Sequence, residues 1–192
     1  MAEPSPQLRA AYDAAMARLP VVTRVIFMMH RVDALSYVEI ACRLSISDSA
    51  VQACVAEALG MIAAILDGDM PRRWRDADIA PAESDLRRRY RASCQERLRA
   101  LGHSEPLAWA SEHDDDLIVN IAFLQTLPAP VLETFLLSRV DGLNYQRIAK
   151  RMWTLPFVVR RRMLHMVRAL DRQPMTFEQW LRAGALAWGL AT

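Results

Sequence analysis

An internal repeat constrains the fold of this chain more than any other sequence feature. Two segments of the 192-residue sequence align without a gap when Leu127 is placed on Leu19. In this register the matched positions keep one phase and include Leu19-Pro20 with Leu127-Pro128, Arg31-Val32-Asp33 with Arg139-Val140-Asp141, Leu35 with Leu143, Tyr37 with Tyr145, and Ile40-Ala41 with Ile148-Ala149. Self-similarity at a fixed spacing is typical of a repeated supersecondary unit. The sequence therefore predicts two copies of one unit, the first copy at residues 19–66 and the second copy at residues 127–172.

Both copies and the segments around them are predicted to be helical. Apolar residues recur at helical spacing, and the two-residue alternation of a strand is never sustained. Several helix starts carry capping signals: Ser36 precedes Glu39 by three residues, Thr176 precedes Gln179 by three, and Ser47 precedes Asp48. These patterns favour an all-α fold.

Charge and composition exclude several classes of protein. A chain that is 53% hydrophobic and 24% charged is globular rather than disordered. The uncharged stretch Ala183–Thr192 is too short to span a bilayer, and the N-terminus lacks the apolar core of a signal peptide. Three cysteines without a Cys-x-x-Cys pair are typical of a reducing compartment. We therefore expect a cytoplasmic protein that does not associate with a membrane.

No catalytic or metal-binding pattern is present in the sequence. The chain has no serine elbow, no Cys–His signature, no HExxH and no Gly-rich phosphate loop. His113 and the three aspartates that follow it precede an apolar helix, where carboxylates usually serve the helix N-terminus rather than a metal. We therefore expect no enzyme activity, no cofactor and no metal site.

The two copies resemble a known DNA-binding module. The segments LPVVTRVIFMMHRVDALSYVEIACRLSISDSAV and LPAPVLETFLLSRVDGLNYQRIAKRMWTLPFVV are similar to region 4 of the sigma-70 family, particularly its extracytoplasmic-function group. The resemblance implies a helix-turn-helix unit whose last helix reads promoter DNA in the major groove. Family members carry region 2 upstream, whereas here another region-4-like copy occupies the N-terminal half. A complete sigma factor is therefore not expected.

The resemblance and the charge distribution together predict three parts of the chain. Residues 1–69 hold five basic and eight acidic side chains and form a region-4-like unit with a degenerate recognition helix. Residues 70–112 form an Arg-rich helical linker. Residues 113–192 hold ten basic and seven acidic side chains, and form a second region-4-like unit with a basic recognition helix and a C-terminal helix. The predicted fold is all-α, with two tandem helix-turn-helix units joined by the linker.

The second copy carries the predicted DNA-reading face. At 100° per residue, Val159, Met163, Met166, Val167 and Leu170 fall on one apolar arc. The opposite face carries Phe157, Arg161, Arg162, His165 and Arg168, and Arg160 lies at its edge. The predicted DNA-binding residues are Arg160, Arg161, Arg162, His165 and Arg168. Arginines on such a face can bind phosphates or form forked hydrogen bonds to guanine. A solvated charged helix face is the alternative interpretation.

The first copy lacks that face. No Lys or Arg lies between Leu44 and Pro71, and Cys54 occupies the position of Arg162. Such a helix cannot neutralise phosphates. Its small outer face suits contact with another helix, so the predicted partner-binding residues are Ala50, Ala53, Cys54 and Glu57. Self-association through this face is left open.

Two segments outside the copies allow more than one interpretation. The cluster Arg87-Arg88-Arg89-Tyr90-Arg91 could contact nucleic acid or the acidic first copy, or it could form internal ion pairs with Asp85 or Glu96. The final helix, with Phe177, Trp180 and Trp188, is predicted to brace the two copies, with a groove for a partner as the alternative.

Two functions therefore compete. The first is a sigma-factor-like transcription regulator that binds double-stranded DNA through the second copy. The second is a protein-interaction module that binds RNA polymerase core, a sigma factor or an anti-sigma protein without reading DNA. A homodimer is compatible with either function.

Overall fold

A computed structural model describes residues 6–69, 78–109 and 114–184. These residues form ten helices and no strand, which confirms the predicted all-α class. The helices are α1 (Pro6–Arg18), α2 (Val21–Arg31), α3 (Tyr37–Leu44), α4 (Asp48–Leu66), α5 (Ile79–Ala100), α6 (Asp115–Gln125), α7 (Ala129–Arg139), α8 (Tyr145–Arg151), α9 (Pro156–Leu170) and α10 (Phe177–Ala183). The chain divides into two compact units, with residues 1–93 and 175–192 in unit 1 and residues 94–174 in unit 2.

Unit 1 is built around α4. Helices α1, α2 and α3 all contact α4, and α10 contacts α2. The core that they enclose includes Ile26, Ile40, Leu44 and Val51, each with no exposed surface. Phe177 and Trp180 of α10 lie against Tyr90 of α5, with ring centroids 5.1 and 5.8 Å from that of Tyr90. The aromatic contacts explain why this short C-terminal helix belongs to unit 1.

Unit 2 has a smaller core. Helix α9 contacts α7 and α8, and α7 contacts α8. A cluster of buried side chains from these three helices holds them together: Leu137, Ile148, Ala149 and Val159. Leu143 and Met152 are partly buried against this cluster.

The helices begin where the sequence signals place them. Ser36 and Glu39 form a capping box, in which the Ser36 hydroxyl accepts from the Glu39 N–H and the Glu39 carboxylate accepts from the Ser36 N–H at 2.7 Å. The hydrogen bonds from the Ser36 side chain and backbone hold the pKa of Glu39 below its usual range. Thr176 and Gln179 form a second box, and the Ser47 side chain accepts from the Ala50 N–H. These capping predictions are confirmed.

The backbones of the two units follow the register of the sequence repeat. Helices α7, α8 and α9 begin at the register partners of Val21, Tyr37 and Asp48, where α2, α3 and α4 begin. Residues with a left-handed backbone conformation recur in the same register. Ala34 and Gly142 have φ values of 54° and 63°, and Ser45 and Trp153 have φ values of 52° and 50°. Because these residues set the turns between helices, the repeat in sequence is matched by a repeat of turn geometry.

The division into units differs from the one that the sequence predicted. The boundary falls at Ser93, inside α5, rather than around a separate linker at residues 70–112. Helix α10 belongs to unit 1, whereas the sequence assigned it to residues 113–192 as a brace between the copies. The physical reason is its aromatic face, which packs against Tyr90. Leu186, Trp188 and Leu190 of the predicted final helix lie outside the described residues.

Helix α4 is also long and apolar enough to cross a membrane, judged by length and composition alone. Six of its residues are buried against other helices of unit 1: Ala50, Val51, Cys54, Val55, Ala58 and Met61. Since 33% of the apolar stretch is buried, packing within unit 1 accounts for part of its apolar character.

Candidate nucleic-acid interface

Helix α9 anchors one face in unit 2 and presents the other to solvent. Pro156 is the first helical residue, where its missing N–H costs no hydrogen bond. Val159, Met163 and Met166 are buried, as the apolar arc predicted. Arg160, Arg161, His165 and Arg168 are exposed, and Arg162 is half-buried. The structure thus brings all five predicted DNA-binding residues to the same helix, with four of them on its solvent side.

The buried arc of α9 is narrower than predicted. Val167 and Leu170, expected to be packed, are 54% and 40% exposed. Val159 packs in the cluster with side chains of α7 and α8, and Met163 and Met166 are also buried. These two residues are therefore corrected from core to surface.

The basic side chains of α9 form no ion pair with a carboxylate of the described residues. Within the described part of the chain, no Asp or Glu oxygen lies within 4.0 Å of Arg160, Arg161, Arg162, His165 or Arg168. The Arg162 Nη1 approaches the Met152 Sδ at 3.7 Å, a weak contact that leaves most donors of the guanidinium unused. Such guanidinium groups can donate to phosphate oxygens or to guanine.

The turn before α9 and the first residues of α9 carry exposed apolar side chains, of which the sequence placed only Phe157 on the outer face. Trp153, Leu155 and Phe157 are 96%, 59% and 66% exposed. In the register of the repeat they occupy the positions of Ser45, Ser47 and Ser49, so the two units differ most sharply at this turn. The aligned serines were the available signal, because a change from hydroxyl to aromatic side chains at exposed positions indicates a different contact surface.

The partner-binding face predicted on α4 is largely covered by the chain itself. Ala50 and Cys54 are each 1% exposed, so the prediction that they lie on an outer face is corrected. Ala53 and Glu57 are half-buried, and the Thr23 hydroxyl donates to the Glu57 carboxylate at 2.8 Å. The same hydroxyl lies 3.9 Å from the Cys54 Sγ. The small side chains therefore permit close contact with helices of unit 1, which leaves little of this face for another protein.

The central arginine cluster forms ion pairs within its own helix. Arg88 pairs with Asp85, and the Arg89 Nε lies 2.9 Å from an Asp85 carboxylate oxygen. Arg87 lies 3.2 Å from Glu83 and its guanidinium carbon is 4.7 Å from the centre of the Phe177 ring. These contacts favour the interpretation as internal ion pairs over the one as a nucleic-acid surface. A search of the described residues finds no group of His, Cys, Asp and Glu that could hold a metal ion.

The comparison with protein families assigns part of unit 1. Residues 9–61 match the family model for sigma-70, region 4. The resemblance read from the first copy is thereby supported for this segment, which covers most of α1, all of α2 and α3, and most of α4. A search of curated proteins finds no match, and a search of solved structures finds none.

The family match does not extend to α6–α9. It includes most of α4, which has no Lys or Arg, whereas the basic helix α9 lies outside the match. The similarity to sigma-70 region 4 suggests a DNA-binding or transcription role in general terms.

Proposed function

We propose that this protein is a sigma-factor-like transcription regulator in which α9 of unit 2 contacts promoter-like double-stranded DNA. The observation that carries the proposal is the row of cationic side chains on α9 that meet no carboxylate of the described residues. The sigma-70 region 4 match at residues 9–61 supplies the connection to transcription. A cytoplasmic location follows from this function, and the proposal includes no catalytic reaction.

The assignment of α9 rather than α4 rests on charge. DNA presents about one negative charge per 1.7 Å of helix axis, so a reading helix must supply cations. Helix α4 contains no Lys or Arg, and Asp48 and Glu57 are its charged residues. Helix α9 contains Arg160, Arg161, Arg162 and Arg168. Of the two helices, only α9 can bind phosphates without repulsion.

The proposal includes a second helix-turn-helix in unit 2. Support comes from its helix starts and left-handed turn residues, which fall at the register partners of those in unit 1. A further parallel is the Asn144 side chain, which accepts from the Arg147 N–H at 2.9 Å, at the position where Ser36 caps α3. In this arrangement α8 crosses the DNA backbone and α9 enters the major groove.

A pair of double variants tests the proposal. Binding to a pool of random-sequence duplexes is measured by fluorescence anisotropy at several salt concentrations. Arg161→Ala with Arg162→Ala should lower affinity about tenfold or more, and should flatten the slope of log K against log salt by about 1 for each phosphate contact removed.

The control removes equal charge from unit 1. Arg9→Ala with Arg31→Ala changes two exposed residues outside α9, and it should leave affinity within about twofold. If the two double variants lose affinity equally, binding follows net charge alone and α9 is not the reader. If the wild-type chain binds no duplex, the proposal is wrong.

A second candidate function is a protein-interaction module for RNA polymerase core, a sigma factor or an anti-sigma protein. The observation that favours it is the position of the family match on the copy without a basic helix. Co-purification with core polymerase from a reconstituted mixture that contains no DNA would support this function. Binding to duplex DNA without polymerase would favour the first.

A further inference from the structure

An open cleft of about 440 Å³ lies within unit 2, alongside α9. One wall carries four basic residues: the arginines Arg161, Arg168 and Arg172, and His165. Their spacing of four, three and four residues aligns them along one side of the helix and the turn that follows it. The other walls are mostly apolar and include Leu101, Phe123, Leu127 and Leu164. We name this feature the cationic cleft.

Among the described residues, none that lines the cationic cleft is Asp or Glu. Within the same ranges, no carboxylate oxygen lies within 4.0 Å of its four basic side chains. Basic residues in the last turn of a helix interact favourably with the helix dipole, which accounts for Arg168. That effect does not account for Arg161, which lies near the start of α9. The charge is therefore not explained by helix stability alone.

Hydrogen bonds hold the cleft in place at one end. The Gln173 amide donates to the Asn120 side-chain oxygen at 2.5 Å, which ties the turn after α9 to α6. The Arg97 Nε donates to the Arg172 carbonyl at 3.4 Å and ties the same turn to α5. A wall held by neighbouring helices loses less conformational freedom when a ligand binds, which favours affinity.

We propose that the cationic cleft binds a small amphipathic anion, with a phosphate headgroup on the arginine wall and an apolar body against the leucines and Phe123. The volume lies within the range of about 300–1,000 Å³ that is typical of small-molecule sites. Guanidinium groups donate paired hydrogen bonds to phosphate oxygens. An apolar wall beside them selects against inorganic phosphate and against neutral alcohols, since each satisfies only half of the site.

The cationic cleft shares residues with the proposed DNA-reading face, and its regulatory consequence rests on that proposed function. Arg161, His165 and Arg168 belong to both surfaces. An anion bound between them would neutralise charges that the DNA phosphates require. The ligand and DNA therefore compete for the same side chains, and the ligand releases the protein from DNA.

The first experiment uses octyl phosphate as the probe. Two control ligands each carry one of its features: octan-1-ol has the apolar chain, and inorganic phosphate has the anionic group. Isothermal titration calorimetry with the full chain should give a dissociation constant on the order of 100 µM for octyl phosphate. Each control ligand should bind at least tenfold more weakly. Equal binding of inorganic phosphate, equal binding of octan-1-ol, or no binding of octyl phosphate would overturn the inference.

Variants locate the binding in the cleft. Leu164 is 50% exposed, so Leu164→Glu introduces a carboxylate into the cleft without burying it in the core. This variant and Arg172→Ala should each weaken octyl phosphate binding at least fivefold. Arg147→Ala, which removes an exposed cation of α8 outside the cleft, should leave it unchanged. Circular dichroism melts verify that all three fold. If Arg147→Ala weakens binding as much as Arg172→Ala, the site is elsewhere.

An experiment with lipid vesicles tests whether the phosphate group belongs to a membrane lipid or to a soluble phosphate ester. Flotation with phosphatidylcholine vesicles that contain one-tenth phosphatidic acid tests a lipid source. Co-flotation that is lost in Leu164→Glu assigns the cleft to a lipid headgroup, and octyl phosphate binding without co-flotation assigns it to a soluble phosphate ester. Co-flotation that Leu164→Glu leaves intact, without octyl phosphate binding, would overturn the inference.

A competition assay separates this inference from the proposed function. Octyl phosphate should release duplex DNA from the wild-type chain, whereas Arg172→Ala should keep DNA binding and become at least fivefold less sensitive to octyl phosphate. If octyl phosphate binds but no duplex does, the ligand site stands and the DNA function is wrong. If duplex binds but octyl phosphate does not, the DNA function stands and the ligand site is wrong.

Discussion

Units 1 and 2 share a helix order but use it differently. In unit 1, α2 is in contact with α3, α4 and α10, and the core includes Ile26 and Met29, which are 0% and 1% exposed. In unit 2, α7 contacts α8 and α9, and the residues at those register positions are the buried Thr134 and Leu137. Helix α4 buries Ala50, Val51, Cys54, Val55, Ala58 and Met61 but leaves Leu59 and Leu66 exposed. Helix α9 buries Val159, Met163 and Met166 and leaves Leu164, Val167 and Leu170 exposed.

One register position shows what this difference means for the side chains. Cys54 of α4 is 1% exposed, and Arg162, which occupies the same position in α9, is half-buried. A small apolar thiol suits a position covered by neighbouring helices, and a guanidinium suits one that reaches solvent. At this position the burial therefore matches the side chain: the thiol lies where the chain is covered, and the guanidinium lies where it is half-buried.

The largest expected effect comes from introducing positive charge at covered positions of α4. Cys54→Arg with Glu57→Arg should destabilise unit 1 by about 3–5 kcal/mol or prevent its folding, because a buried unpaired guanidinium is costly. The change also removes the Thr23–Glu57 hydrogen bond. Thermal melts and light scattering measure the outcome.

A control on the same helix isolates the effect of burial. Gln52→Arg with Ala56→Arg adds two arginines at exposed positions of α4 and should change stability by less than about 0.5 kcal/mol. If Cys54→Arg with Glu57→Arg has unchanged mass, unchanged melting and stronger DNA binding, then α4 is free and DNA-facing, and the contrast between the units fails.

The next largest effect tests the role of α10 through two tryptophans. Trp180→Ala should destabilise unit 1 by about 3 kcal/mol, because Trp180 is 4% exposed and packs against Tyr90 and Phe177. Trp153→Ala should change stability by less than about 0.5 kcal/mol, because Trp153 is 96% exposed. Hydrogen exchange followed by mass spectrometry measures both. Equal protection of α2 peptides in the two variants would contradict the assignment of α10 to unit 1.

A smaller effect follows from the helix caps. Ser47 caps α4 through the Ala50 N–H, whereas Leu155 at the same register position offers α9 no side-chain cap. Ser47→Ala should therefore cost about 1 kcal/mol, and Leu155→Ser should stabilise α9 by about 0.5 kcal/mol. Thermal melts of the two variants check the signs. A loss of stability in Leu155→Ser would show that this exposed leucine packs in solution.

The smallest expected effect is a pH dependence confined to α3. The lowered pKa of Glu39 means that the folded chain holds this proton less tightly than the unfolded chain. The contribution of ionised Glu39 to folding stability is fully present above the ordinary pKa range of a carboxyl group. It is lost as the pH falls through the lowered pKa of the folded chain. Melting curves of wild type and Glu39→Gln should therefore differ at pH 7 and converge in acid. In unit 2, Arg147 occupies this position, so Arg147→Gln should show no such convergence.

The helices and their ends could be predicted from the sequence. The apolar spacing, the capping residues at Ser36, Ser47 and Thr176, and the repeat register each depend on local chemistry, and the structure agrees with them. The solvent-facing arginines of α9 were predictable for the same reason, since helical periodicity assigns residues to faces. The similarity to sigma-70 region 4 was also predictable from the motif that starts at Leu19, and this motif lies within the matched residues 9–61.

Which helix faces remain open depends instead on tertiary packing. Periodicity places Cys54 and Arg162 at matching register positions, but whether such a position is covered depends on how the neighbouring helices pack. Helix α4 contacts α1, α2 and α3, and Cys54 is 1% exposed. Helix α10, close to the C-terminus, joins unit 1 through aromatic contacts with Tyr90. The cationic cleft likewise needs Leu101, Phe123 and Leu127 to lie beside α9. Local spacing does not encode such long-range contacts, because they depend on how whole helices pack.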